Sequence, residues 1–182
     1  MSFKSTIRNP QSTIFLVGFM GSGKTTLGKK LATKLKMKFV DLDEVICIRT
    51  EFASIKNLIE EKGFDVFRQE ESETLKSLLT EGKVVSTGGG TPCYFDNLEW
   101  MKSKGKVVFL QVDEGVLFSR LMNTDMEERP MLKNLDEVGL KDFIHDKLEE
   151  RLPFYKQAHL VFDPVNNTIV YLIAQLKKLV GE

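Results

Sequence analysis

Residues 18–26 read Gly18-Phe19-Met20-Gly21-Ser22-Gly23-Lys24-Thr25-Thr26, a match to the phosphate-loop pattern Gly-x-x-x-x-Gly-Lys-Ser/Thr. The flanks suit it. Ile14-Phe15-Leu16-Val17 is apolar enough for a buried strand before the loop, and Thr26 to Lys36 has the composition of a helix after it. Glycines let backbone N–H groups turn inward around an anion, and the helix N-terminus adds partial positive charge. Lys24 can reach the outer phosphates and the Thr25 hydroxyl can ligate Mg2+. The stretch therefore predicts a nucleoside-triphosphate site.

Leu27, Leu31 and Leu35 recur at four-residue spacing, so one face of that helix should pack inward while Lys29, Lys30, Lys34 and Lys36 face water. Lys38-Phe39-Val40 reads as a second strand ending in Asp41-Leu42-Asp43. Strand, helix and strand in that order begin a parallel sheet with a right-handed crossover. Short helices are expected at Val45–Arg49 and Ser54–Lys62, then, after Gly63, a longer one from Asp65 to Thr80 with Phe67, Leu75, Leu78 and Leu79 on its inner stripe. Lys83–Ser86 is a third strand running into Thr87-Gly88-Gly89-Gly90-Thr91-Pro92, where something approaches the backbone closely. Beyond it the pattern gives a helix over 96–104, a strand over 106–111 and a helix over 114–122. A polar loop without periodicity, helix 141–155 interrupted near Pro153, strand 158–162 and helix 168–180 complete the chain. The expected fold is one three-layer α/β/α domain over 1–182, a doubly wound five-stranded parallel sheet with ligands at the C-terminal strand ends. Substrate helices are expected over about 44–80 and a mobile lid over about 122–136.

Composition narrows the partners. The 182 residues are 42% apolar and 29% charged, with Lys plus Arg and Asp plus Glu both 26. No large basic field is available for nucleic acid or an anionic membrane. Neither a signal-peptide pattern nor an apolar run of membrane-spanning length occurs, so the cytoplasm is the expected compartment. Cys47 and Cys93 stand in no metal-binding spacing, and His145 and His159 have no partner at useful spacing.

A triphosphate site alone does not separate kinases from switches or motors; residues at the other strand ends must. Asp41 and Asp43 follow the second strand. A carboxylate there could orient an alcohol and accept its proton during phosphoryl transfer, while Asp41 is better suited to hold Mg2+ through water. Either aspartate could equally cap the next helix. Arg68 and Glu71, one turn apart, could be a surface pair; Arg129 could close over a phosphate or simply be solvated; Arg151 precedes Leu152-Pro153.

Taken together, Gly18 to Thr26, Phe39-Val40-Asp41-Leu42-Asp43, Phe67-Arg68-x-x-Glu71, Ser86-Thr87-Gly88-Gly89-Gly90, Arg129-Pro130-Met131-Leu132 and Arg151-x-Pro153-x-Tyr155 resemble shikimate kinase over nearly the whole chain. The resemblance implies a P-loop kinase that moves the γ-phosphate of ATP to the 3-hydroxyl of shikimate, on the way to chorismate and the aromatic amino acids. It implies that Gly21, Ser22, Gly23, Lys24, Thr25, Thr26 and Arg129 bind ATP. Shikimate would be held by Asp43, Arg68, Gly88, Gly89, Gly90 and Arg151. Lys24, Asp43 and Arg129 would act in catalysis, and Thr25 would ligate Mg2+ with Asp41 behind it. The partners are then ATP and shikimate alone, with a monomer expected. Two features depart from the family. Glu51-Phe52-Ala53 is one residue longer than usual, and Phe64 replaces a customary glutamate, which leaves Glu71 to orient Arg68 beside a drier pocket wall. Alternatives are a kinase for another hydroxy acid such as gluconate, or a non-catalytic nucleotide-binding module; the presence of Lys24, Asp43 and Arg129 together speaks against the module.

Overall fold

A computed structural model describes residues 12–78, 81–124 and 130–179. Its elements run β1 (Thr13–Val17), α1 (Lys24–Leu35), β2 (Lys38–Asp41), α2 (Leu42–Thr50), α3 (Ile55–Ser77) and β3 (Lys83–Ser86). A 3-10 turn (Thr91–Cys93), α4 (Asn97–Lys104), β4 (Gly105–Leu110), α5 (Glu114–Met122), α6 (Glu137–Tyr155), β5 (Leu160–Phe162) and α7 (Ile169–Leu179) follow. All strand pairings are parallel, in the order β2-β3-β1-β4-β5.

The sheet is a two-sided core because β1 is apolar at successive positions. Phe15 and Val17 pack with Leu42, Phe67 and Leu75 on one face, while Ile14 and Leu16 pack with Leu31, Val84 and Leu172 on the other. Every residue of β1 is buried. The inward stripe of α1 is as its leucines predict, and its lysines at 29, 30, 34 and 36 are exposed. Register aligns the strand ends: Leu16 pairs with Ser86, and Ser86 with Asp41. The chain winds one way from β1 toward β2 and the other way toward β5, so the crevice opens beyond the end of β1.

Several local expectations change. Asp41, not Asp43, caps α2: its Oδ1 accepts the Asp43 N–H at 3.2 Å, which puts Asp43 in the first helical turn. The expected break at Gly63 is present: with φ 85° and ψ 167° it is non-helical, and α3 is two helical segments that meet there at a kink. Helix α6 starts at Glu137 because Asp136 caps it through the Gly139 N–H, and it continues through Pro153. The 3-10 turn after the glycines has no counterpart in the sequence reading. Residues 125–129 of the expected lid, Arg129 among them, and Leu79 on the expected α3 stripe lie outside the described residues.

Candidate active site

The loop between β1 and α1 needs its glycines for conformation. Gly18, Gly21 and Gly23 have φ of 142°, 79° and 93°, values that L side chains rarely adopt. Lys24 opens α1 and curls back, its Nζ donating at 2.8 Å to the carbonyls of both Gly18 and Phe19. Thr25 Oγ1 donates to Asp41 Oδ2 at 2.8 Å and lies 3.4 Å from Ser86 Oγ, which ties the loop to the ends of β2 and β3. Ser22 Oγ is buried with no partner. Around this loop opens a cleft of about 690 Å3, lined also by Thr26, Arg120 and Pro164.

A second pocket of about 420 Å3 adjoins it, with Arg68, Glu71 and Arg151 in its walls beside Ile55, Ile59 and Phe64. Arg68 is 8% exposed and its Nη1 donates to Glu71 Oε2 at 2.6 Å. Its guanidinium lies 4.4 Å from the Tyr94 ring and 4.8 Å from that of Phe67. Arg151, 2% exposed, sits over Phe19 at 5.5 Å. The Nε of each arginine is buried without a partner, so both pocket walls hold buried cationic donors suited to a small anion. Glu71, which the sequence also allowed as a surface residue, is fully buried.

The turn 88–90 forms the floor between the two spaces. None of the three glycines has a positive φ; they are glycine for room. A Cβ on Gly90 would lie 2.5 Å from Arg68 Nη2, and one on Gly88 2.5 Å from Glu71 Oε1. Tyr155, stacked on Phe109 at 4.9 Å, donates its hydroxyl to the Gly89 carbonyl at 2.5 Å and so fixes the turn from α6. Burial pushes the Tyr155 phenol far up, so it remains a donor at any ordinary pH.

Asp43 borders both spaces, as do Gly88 and Gly89. Its Oδ1 is sealed from solvent with no partner. Burial pushes its carboxyl up to about 6, helped by the charges of Glu71 and Asp41 and opposed by those of Lys24 and Arg68. A carboxylate poised near neutral pH, beside an anion pocket and a phosphate loop, has the properties of a general base.

The structure thus brings together Lys24, Thr25, Asp41, Asp43, Arg68, Gly88, Gly89, Gly90 and Arg151 from five separate parts of the chain. It adds Arg120, whose Nη1 donates to the Gly21 carbonyl at 2.9 Å. No spacing marks Arg120 out in the sequence; only the packing of α5 against the loop does. Phe64 is 42% exposed and forms an apolar part of the pocket wall.

Comparison with known proteins gives the same grouping. The family model for shikimate kinase matches residues 20–179. The shikimate kinase of Bacteroides fragilis is 44% identical over 173 residues, 92% of this chain and 96% of that protein. Among solved structures, the shikimate kinase of Bacteroides thetaiotaomicron superposes with a TM-score of 0.83 at 41% identity, covering 94% of this chain and 99% of that one. That of Acinetobacter baumannii in complex with shikimate gives 0.82 at 31% identity, with 93% of each chain covered. Matches of this extent, spanning the phosphate loop and the arginine pocket alike, mean that the chain belongs to the shikimate kinase family.

Proposed function

We propose that the chain is an ATP-dependent kinase that transfers the γ-phosphoryl group of ATP to the 3-hydroxyl of shikimate, giving shikimate 3-phosphate and ADP. The observation that carries this reading is the meeting of two clefts at one carboxylate. Asp43 lies on the wall common to the phosphate loop and the arginine-lined pocket.

In this reading ATP lies along the loop of Gly21, Ser22, Gly23, Lys24, Thr25 and Thr26, its phosphates drawn to the N-terminus of α1. Lys24 exchanges the carbonyls of Gly18 and Phe19 for phosphate oxygens. The unpartnered Ser22 hydroxyl supplies a further donor. Arg68 and Arg151 hold the carboxylate of shikimate, which turns the ring hydroxyls toward Asp43 and the glycine turn. The Asp43 carboxylate accepts the proton as the 3-oxygen bonds to phosphorus and the bond to the bridging oxygen of ADP breaks. Positioning and charge neutralisation supply most of the acceleration, because both reactants are held in one crevice. Arg129, outside the described residues, is assigned to the phosphates on the lid by resemblance.

The Thr25 hydroxyl, 2.8 Å from the Asp41 carboxylate, is a fit for Mg2+ carried by the nucleotide, with Thr25 as direct ligand and Asp41 behind it through water. No group of three or more ligating side chains gathers among the described residues, and Mg2+ bound with phosphates needs only one or two protein groups. Bound Mg2+ neutralises charge on the β- and γ-phosphates. The reading also takes the chain as a cytoplasmic monomer. Its equal numbers of cationic and anionic groups support small molecules rather than nucleic acid or an anionic membrane as partners. Among the described residues no helix is long and apolar enough to cross a membrane.

The test is ADP release with shikimate, gluconate or a nucleoside monophosphate as acceptor, with Asp43→Ala as control. Turnover is expected with shikimate alone. Turnover with gluconate and none with shikimate would overturn the reading.

A further inference from the structure

Behind the arginine pocket runs a chain of buried side-chain hydrogen bonds that the transfer reaction as described does not use. Ser72 Oγ donates to Asn97 Oδ1 at 2.7 Å, and Asn97 Nδ2 donates to the Thr91 carbonyl at 3.0 Å. Thr91 Oγ1 then donates to Glu71 Oε1 at 2.6 Å, while the other oxygen of Glu71 accepts from Arg68. Asn97, Thr91 and Glu71 have no solvent exposure. Thr91 is held at three points, since its N–H also closes the glycine turn on the Gly88 carbonyl at 3.2 Å.

The point where these bonds meet is beside Gly88. A Cβ there would lie 2.5 Å from Glu71 Oε1, 3.0 Å from Thr91 Oγ1 and 3.5 Å from Asp43 Oδ1. Three oxygens therefore share one small space, and two of them belong to carboxylates. Asp43 Oδ1 has no partner, so the Thr91 hydroxyl is the donor that satisfies the side of Glu71 nearest to it. We propose that Thr91 is a positioning residue for the transfer: its hydroxyl fixes Glu71 Oε1 beside Gly88, so that one carboxylate is committed to Arg68 while the other stays available as base. This rests on the kinase reading above. Removing the hydroxyl leaves a buried, negatively charged oxygen without a donor, a costly state that the site relieves by moving Glu71. That movement damages the transfer through Arg68, whose Nη1 is held by the other oxygen of Glu71.

The experiment measures kcat and the KM values for shikimate and ATP in the intact chain, for wild type, Thr91→Val and Thr91→Ser. In Thr91→Val, KM for shikimate is expected to rise about tenfold or more, the scale of one hydrogen bond to a charged group, while KM for ATP holds. Thr91→Ser, which keeps the hydroxyl, should match wild type in both. An unchanged KM for shikimate in Thr91→Val, an equal rise in KM for ATP, or an equal loss in Thr91→Ser overturns the proposal. Should Thr91→Val fail to fold, Thr91→Ala is judged by the same pair of KM values. A wild-type chain inactive on shikimate would remove the kinase reading itself, whereas an active wild type with an unmoved KM in Thr91→Val removes this proposal alone.

Discussion

The two clefts that meet at Asp43 are built in opposite ways. The phosphate cleft is centred on nine consecutive residues, Gly18 to Thr26, whose backbone φ values and helix N-terminus create the site locally. The acceptor pocket is assembled from α3, the glycine turn after β3, and α6, and its charged groups are positioned by one another: Arg68 by Glu71, the turn by Tyr155. A locally built site binds what many proteins bind. In the proposed reading the site assembled from distant segments selects the acceptor, and small changes in packing there should alter selectivity without disturbing ATP.

The sharpest way to break that division is at the carboxylate that borders both clefts. Asp43→Asn should lower kcat by about 10^2- to 10^4-fold, the usual worth of a positioned base, while ATP affinity measured by calorimetry stays near wild type. The same variant should melt higher at pH 7. The Asp43 carboxyl is raised from 3.8 to about 6 in the folded chain, so its native form holds the proton more tightly than the unfolded one. Stability from this group is fully present below pH 3.8 and is lost as pH rises through about 6. A neutral asparagine avoids that loss.

Gly90→Ala tests whether the acceptor pocket can be damaged alone. The new methyl meets the Arg68 guanidinium at 2.5 Å, and KM for shikimate should rise about tenfold or more as the arginine is displaced. KM for ATP should hold; a parallel rise would mean the two clefts are mechanically one. Glu71→Gln should act more mildly, raising KM for the acid by about several-fold, because the amide oxygen can still accept from Arg68 and only the charge assistance of that bond is lost. Because the Glu71 charge raises Asp43, its removal should also move the acid limb of the pH–rate profile to lower pH. An unchanged KM would rule out Glu71 as the group that orients Arg68. The smallest effect is expected from Arg120→Ala, a rise in KM for ATP of about twofold to fivefold, the scale of one modest hydrogen bond, with KM for shikimate unchanged.

The same contrast explains what could be read from the sequence. The phosphate loop was legible because its determinants are contiguous and the strand and helix around it are strongly patterned. The parallel five-stranded sheet followed from alternation of apolar runs with helical segments. Asp41 and Asp43 could be found and given different roles, but both suit a helix cap; only the hydrogen bond from the Asp43 N–H to Asp41 assigns the cap. Glu71 and Arg68 at three-residue spacing fit a surface pair as well as a buried one, and their depth depends on α4 and the glycine turn covering them. Arg120 and Thr91 carried no signal at all, because each acquires its role from an element far away in sequence. The start of α6 was placed late because Gly139, a poor helix former, sits in its first turn, where the Asp136 cap compensates.

Gly63 leaves one more consequence. It breaks α3 with φ of 85°, and a Cβ there would touch nothing within 4 Å, so glycine is kept by conformation and not by crowding. The break separates Ile55 and Ile59, on the N-terminal segment, from Arg68 and Glu71 on the C-terminal one, although all four line the same pocket. This makes the wall modular: the apolar segment can shift or take a substitution without its helical register being carried across the kink to the segment that holds Arg68 and Glu71.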